Sequence, residues 1–139
     1  MAEIVVGYDG SVCGNAALDE ALDLAEELHD HVTVVFGYAP PGIWGGEIAD
    51  HEQAIEELGE KVTADARRRA AARGAEIDVE LLPKRAVEAL VEAADEHDAR
   101  MIVVGSGGEG ALKGILLGST PHKLLHLSDR PVLVVHADE

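Results

Sequence analysis

Short runs of β-branched and aliphatic residues alternate along the chain with longer stretches in which apolar positions recur every three to four residues. The runs Ile4 to Val6, Val32 to Phe36, Ile77 to Leu82, Met101 to Val104 and Val132 to Val135 each have the length of a strand. Between the first two, Ala17, Leu18, Ala21, Leu22, Ala25 and Leu28 line one helical face, and Asp19, Glu20, Asp23, Glu26 and Glu27 fill other positions. The same spacing predicts a second helix burying Ile55, Leu58, Val62, Ala66 and Ala70, and a third burying Val87, Leu90, Val91 and Ala94. A short fourth helix is expected from Pro121 to Leu127. The segment Ala39 to Asp50 holds Pro40, Pro41, Gly42, Gly45 and Gly46 and reads as a surface loop or lid.

Strands that alternate with helices form βαβ units, so the pattern predicts one doubly wound α/β domain over residues 1–139. Its sheet should be parallel, with helices on both faces. Two strands stand apart. Ile77-Asp78-Val79-Glu80-Leu81 alternates apolar and acidic residues, as an edge strand protected by charge does. Val132 to Val135 is apolar throughout and needs cover on both faces. It is therefore either a central strand or an edge strand covered by a second copy of the chain, which would be a homodimer.

Composition narrows the partners. The 27 acidic residues outnumber the 11 basic ones, leaving a net charge of −16 that repels phosphate backbones and anionic lipid surfaces. Nucleic acid and membrane partners are not expected. No apolar stretch is long enough for a membrane span, and the N-terminus lacks a basic, then apolar, leader pattern, so a cytoplasmic location is expected. The single cysteine, Cys13, has no partner for an internal disulfide and reads as a small buried helix residue. No Ser-His-Asp or Cys-His arrangement supplies a catalytic nucleophile.

The chemistry-bearing signal is a pair of glycine-rich turns. Gly105-Ser106-Gly107-Gly108-Glu109-Gly110 follows the fourth strand, and Gly118-Ser119-Thr120-Pro121 opens the last helix. Glycines let backbone N–H groups approach an anion, and Ser119 or Thr120 before Pro121 suits a helix cap whose dipole faces the same place. Asp9 closes the first strand in Tyr8-Asp9-Gly10-Ser11. If the first and fourth strands are neighbours, its carboxylate faces the glycine loop, where it suits ribose hydroxyls or a phosphate-bound metal. A plain turn at Asp9-Gly10 is the alternative.

Gly105, Gly108, Gly118 and Ser119 fit G-x2-G-x9-G-(S/T), and in this the chain resembles the ATP-binding branch of the universal stress protein family. Ile4 to Ser11 and Pro131 to Val135 are similar to that family's opening and ending. The resemblance implies a Rossmann-like sheet in the order 3-2-1-4-5, dimerisation through the last strand, and a nucleotide-dependent role in stress responses with at most slow ATP hydrolysis or autophosphorylation. It places Asp9 near ribose or metal, the backbone near Gly37 against adenine, and Gly105, Gly108, Gly118, Ser119 and Thr120 against sugar and phosphates. The chain departs from the family where Glu109 replaces a usual Arg or Lys, Gly107 a frequent His, and Gly37 a usual apolar residue. A carboxylate beside a triphosphate repels it unless a cation intervenes, which favours binding bridged by Mg or Mn. Lys113 and Lys123 are the nearest basic residues to compensate. The competing reading is a nucleotide-free dimeric interaction module of the same fold.

Other signals carry less. No metal-ligand set stands out: His122 and His126 share a helical face but lack a third ligand. Arg67-Arg68-Arg69 reads as a solvated helix face pairing with carboxylates. A response-regulator receiver would need an acceptor Asp after the third strand, where this chain has Leu82-Pro83.

Overall fold

A computed structural model describes residues 2–38, 48–107 and 119–137, with side chains described except at 48–56 and 119. In chain order the elements are β1 (Glu3–Gly7), α1 (Val12–Leu28), β2 (His31–Gly37), α2 (Ile48–Ala71), β3 (Ile77–Leu82), α3 (Ala86–Glu96), β4 (Met101–Gly105), α4 (Ser119–Leu127) and β5 (Val132–Val135). The strands form one sheet in the order β3-β2-β1-β4-β5, with every neighbouring pair parallel. This is the doubly wound architecture expected from the alternation of periods.

Strand alternation divides the core into two layers. Ile4, Val6, Val32, Val34 and Val103 point to one face, where Leu18, Ala21 and Leu22 of α1 and Val62 and Ala66 of α2 cover them. Val5, Val35, Ile102 and Val104 point to the other, under Val87, Leu90 and Ala93 of α3 and Leu124 of α4. The central strands β1 and β4 are buried on both faces, which is why their runs carry no polar alternation.

The structure corrects several details. Leu58 is 54% exposed, and Gly59 is buried instead. A Cβ at Gly59 would lie 3.0 Å from Leu81 and 3.1 Å from Phe36, so α2 packs tightly on β2 and β3 there and a side chain would require those two to shift by a few tenths of an ångström. Leu28, 40% exposed, falls off the end of the buried stripe of α1. Helix α2 begins at Ile48, which makes the last three residues of the expected 39–50 loop helical, while residues 39–47 lie outside the described residues. Ser119 and Thr120 are the first two residues of α4, so the helix starts before the expected Pro121 and neither residue precedes it as a cap.

The two sheet edges differ in kind. On β3, Asp78 is paired with His31 at 2.9 Å and Glu80 with His97 at 2.5 Å. On β5, all four residues are only partly buried, Leu133 and Val135 against the α1 side and Val132 and Val134 against the α3 side. Two members of the arginine run behave as expected: Arg69 grips Asp19 of α1 through two 2.8 Å hydrogen bonds, and Arg68 pairs with Asp65, whereas Arg67 donates to the Ile77 carbonyl at 3.4 Å.

At the amino end of the sheet, the covered carboxylate of Asp30 accepts from Arg100 Nε at 2.5 Å, from a second Arg100 nitrogen at 3.2 Å and from the Ala2 amide at 3.1 Å. This clasp joins the starts of β1, β2 and β4. Asp30→Ala is expected to lower stability by about 2 kcal/mol, the order of charge-assisted hydrogen bonds lost together. The Arg100 hydrogen bond holds the Asp30 carboxyl below its ordinary value of 3.8. A depressed folded-state value stabilises the protein above the unfolded value, and that contribution fades as pH falls through the folded one. Urea melts from neutral pH into the acid range should therefore show wild type losing its advantage over Asp30→Ala below pH 3.8.

Candidate functional site

The strand order reverses between β1 and β4, whose chains run outward to β2-β3 on one side and to β5 on the other. A parallel sheet opens a crevice at that point, beyond the carboxyl ends of its strands. The segments leaving these two ends are Tyr8-Asp9-Gly10-Ser11 and Gly105-Ser106-Gly107.

Local geometry fixes the first segment. Gly10 has φ of +80°, a turn conformation that favours glycine. Asp9 Oδ1 accepts hydrogen bonds from the Ser11 amide at 2.9 Å and the Ser11 hydroxyl at 2.5 Å. Ser11 Oγ in turn accepts from the Gly14 amide at 3.0 Å, as the N-cap of α1. The Asp9 side chain is thus held in place while its residue stays exposed. Gly14 makes room for it, since a Cβ there would lie 2.6 Å from Asp9 Oδ1. The helix start leaves the Val12 and Cys13 amides without intrahelical acceptors, on the side where an anion is favoured.

The second segment is held against the first turn of α1. A Cβ on Gly105 would lie 2.6 Å from Cys13 Cβ and 2.7 Å from the Cys13 carbonyl carbon and oxygen. Glycine here allows the first turn of α1 to rest directly on the end of β4. Cys13 is half-buried, as a small packing residue, with its sulfur 3.9 Å from the Ser106 hydroxyl. The Ser106 amide donates to Val135 at 2.9 Å, so β5 also fixes where the glycine loop begins.

Gly37 ends β2 on the far side of β1. A Cβ there would lie 2.7 Å from the Lys84 carbonyl oxygen and 3.0 Å from Ala86 and Ala89. The absent side chain is therefore required by the close passage of the chain from β3 into α3. Sequence reasoning placed the backbone near Gly37 against adenine and counted its missing side chain as a lost contact, without the packing reason. It also missed Tyr8, whose buried hydroxyl donates to Asn15 at 2.6 Å and ties the strand end to α1. Burial raises the Tyr8 hydroxyl above its ordinary value of 10.0, keeping it a neutral donor.

Asp9, Gly37 and Gly105 thus share the carboxyl rim of β2, β1 and β4, and Thr120 sits half-buried in the first turn of α4. Ser119 is in the same turn; Gly108 and Gly118 lie outside the described residues, as do Glu109 and Lys113.

Residues 1–136 match the profile of the Universal stress protein family. The chain belongs to this family. Among curated relatives, the Stress response protein NhaX of Bacillus subtilis is 31% identical, over 95% of this chain and 96% of its own length. Among solved structures, a universal stress protein in complex with cAMP is 30% identical, with a TM-score of 0.73 and coverage of 99% of this chain and 98% of that one. The universal stress protein from Archaeoglobus fulgidus in complex with dAMP is 25% identical, with a TM-score of 0.72 over 96% of this chain and 97% of the other. Among the described residues, no helix is long and apolar enough to cross a membrane.

Proposed function

We propose that this universal stress protein binds an adenine nucleotide on the carboxyl rim of β2, β1 and β4 and acts as a nucleotide-dependent regulator in stress responses. The observation that carries the proposal is that the first turn of α1, which holds the exposed Asp9 through Ser11, also seats Gly105 against Cys13 at the point where strand order reverses. The relatives solved with cAMP and dAMP support an adenine ligand. ATP is the proposed occupant, on the strength of the glycine spacing.

The backbone near Gly37 meets adenine, and Asp9 receives the ribose hydroxyls. Gly105, Gly108, Gly118, Ser119 and Thr120 bring amides and hydroxyls to sugar and phosphates. Backbone donors at a helix start bind anions without needing a basic side chain, which suits a chain with Glu109 after its second glycine. Asp9 fits a hard cation, because carboxylate oxygen is the donor that Mg and Mn prefer and only its Oδ1 is engaged by Ser11. A bound Mg or Mn would neutralise phosphate charge. In this reading the rim would position phosphates, and no base for an attacking group is evident among its described residues, so any hydrolysis or autophosphorylation would be slow.

Denaturing freshly purified protein and analysing the released small molecules by mass spectrometry, with metal content from the same sample, tests the reading. A stoichiometric adenine nucleotide is expected. Its absence, together with no binding in a Mg-ATP titration, would leave a nucleotide-free dimeric interaction module. Glu109→Arg replaces repulsion by attraction and is expected to tighten ATP binding at least about tenfold, or about 1.4 kcal/mol, by calorimetry.

The homodimer is proposed through β5, Val132 to Val135. As an edge strand with four partly exposed aliphatic residues, it offers both unpaired backbone and apolar surface to a second copy. Leu133→Asp places a charge in that surface, and sedimentation at micromolar concentration is expected to shift from dimer to monomer. A dimer that survives unchanged would place the contact elsewhere.

A further inference from the structure

At the amino end of the sheet, away from the nucleotide rim, parallel register gathers side chains from three strands. Glu3 of β1 lies beside His31 of β2, Thr33 beside Asp78 of β3, and Val35 beside Glu80. Val5 and Val35 pack on the α3 side, so alternation puts Glu3, His31, Thr33, Asp78 and Glu80 on that same side. Ligand atoms of Glu3, His31 and Asp78 all lie within 4.8 Å of one another. His97, directly after α3, stands next to this set, its Nδ1 3.9 Å from Glu3 Oε1.

We propose that Glu3, His31, Asp78 and His97 form a binding site for a late first-row divalent cation, with Zn2+ the best match. Two imidazoles and two carboxylates are ligands that zinc accepts, whereas Mg and Ca prefer oxygen alone. Spacing supports one shared ion. Two ligands on a tetrahedral zinc stand roughly 3.3 Å apart, given bonds of about 2.0–2.1 Å. His31 Nε2 is 2.9 Å from Asp78 Oδ2, and His97 Nδ1 is 3.9 Å from Glu3 Oε1.

His97 supplies the second, independent observation. Its Nε2 bonds to Glu80 at 2.5 Å, while Nδ1, with no hydrogen bond among the described residues, faces Glu3. A histidine that donates one ring nitrogen to a carboxylate and offers the other is the arrangement that orients metal ligands. Glu80 would then be the positioning residue, and Thr33, which donates to Glu3 Oε1 at 3.1 Å, would orient Glu3. A divalent ion would also offset the three carboxylates of Glu3, Asp78 and Glu80, whose close partners here are imidazoles and one hydroxyl. The side chains of Glu3, His31 and His97 are 19%, 29% and 26% exposed, so the site is shielded yet reachable from the β3 edge.

ZnCl2 titration by calorimetry, with excess Mg present to saturate ordinary surface carboxylates, tests the site, and CoCl2 gives a visible spectrum that reports coordination. One equivalent of zinc and four-coordinate cobalt bands are expected. His31→Ala and Asp78→Asn should each weaken zinc binding by more than about 100-fold, beyond what loss of an orienting group alone costs. Asp78 is exposed, so Asp78→Asn leaves the fold intact, which circular dichroism checks. The paired rings of His122 and His126 on α4, with centroids 5.2 Å apart, are the competing ligands. Changing both to Ala should leave binding unchanged. Loss of zinc in that double variant, persistence of binding in His31→Ala and Asp78→Asn, or no stoichiometric uptake would each overturn the proposal.

Discussion

Gly105→Ala is expected to cost about 3 kcal/mol of stability and to abolish nucleotide binding with it. The added Cβ would stand 2.7 Å from the Cys13 carbonyl carbon and oxygen, which are backbone and cannot rotate away. Relief requires the first turn of α1 to lift from β4, at the upper end of the cost of overpacking a tight contact. Because Ser11 caps that turn and holds Asp9, the movement dismantles both halves of the rim at once. Urea denaturation and ATP calorimetry on the same variant read the two losses. Full stability in Gly105→Ala would mean that α1 does not need its close seat on the strand.

The second large effect lies at Gly37. Gly37→Leu restores the apolar residue usual at this place in the family, so a gain in adenine affinity would be the simple expectation. The structure predicts the reverse: a destabilisation of about 3 kcal/mol and no tighter binding. The side-chain direction at position 37 is occupied by the Lys84 carbonyl oxygen at 2.7 Å and by the start of α3 at 3.0 Å. Stability and affinity measured on one preparation decide between these expectations. A well-folded Gly37→Leu with stronger ATP binding would show that the side chain reaches the nucleotide.

The sequence made the fold legible where one physical demand dominated. Burial on both faces left β1 and β4 without polar alternation, and one-sided burial left α1 and α3 with clear stripes. The edge position of β3 was readable from Asp78 and Glu80. The inward assignment of Leu58 failed because helical period marks a face without saying how closely that face approaches the sheet. Gly59 sits at a tight contact with Leu81 and Phe36, and a glycine adds nothing to an apolar pattern. The rim was legible in part: Asp9 and the glycine turn are local motifs, but the reason for Gly37 is a chain segment nearly fifty positions away. The histidine and carboxylate cluster was invisible for the same reason. Its residues come from β1, β2, β3 and the end of α3, and only strand register brings them together.

The unlike edges of the sheet also set a limit on growth. A sheet that pairs through its aliphatic margin can keep adding members only if every new member offers another such margin. Here the opposite border is occupied by ionisable groups already engaged with one another, His31 with Asp78 and His97 with Glu80. Two copies joined along β5 would turn those charged borders outward at both ends, and a third copy would meet repulsion rather than a template. Self-association through β5 would thereby be a terminating reaction, and a chain paired in this way would be protected from becoming a filament.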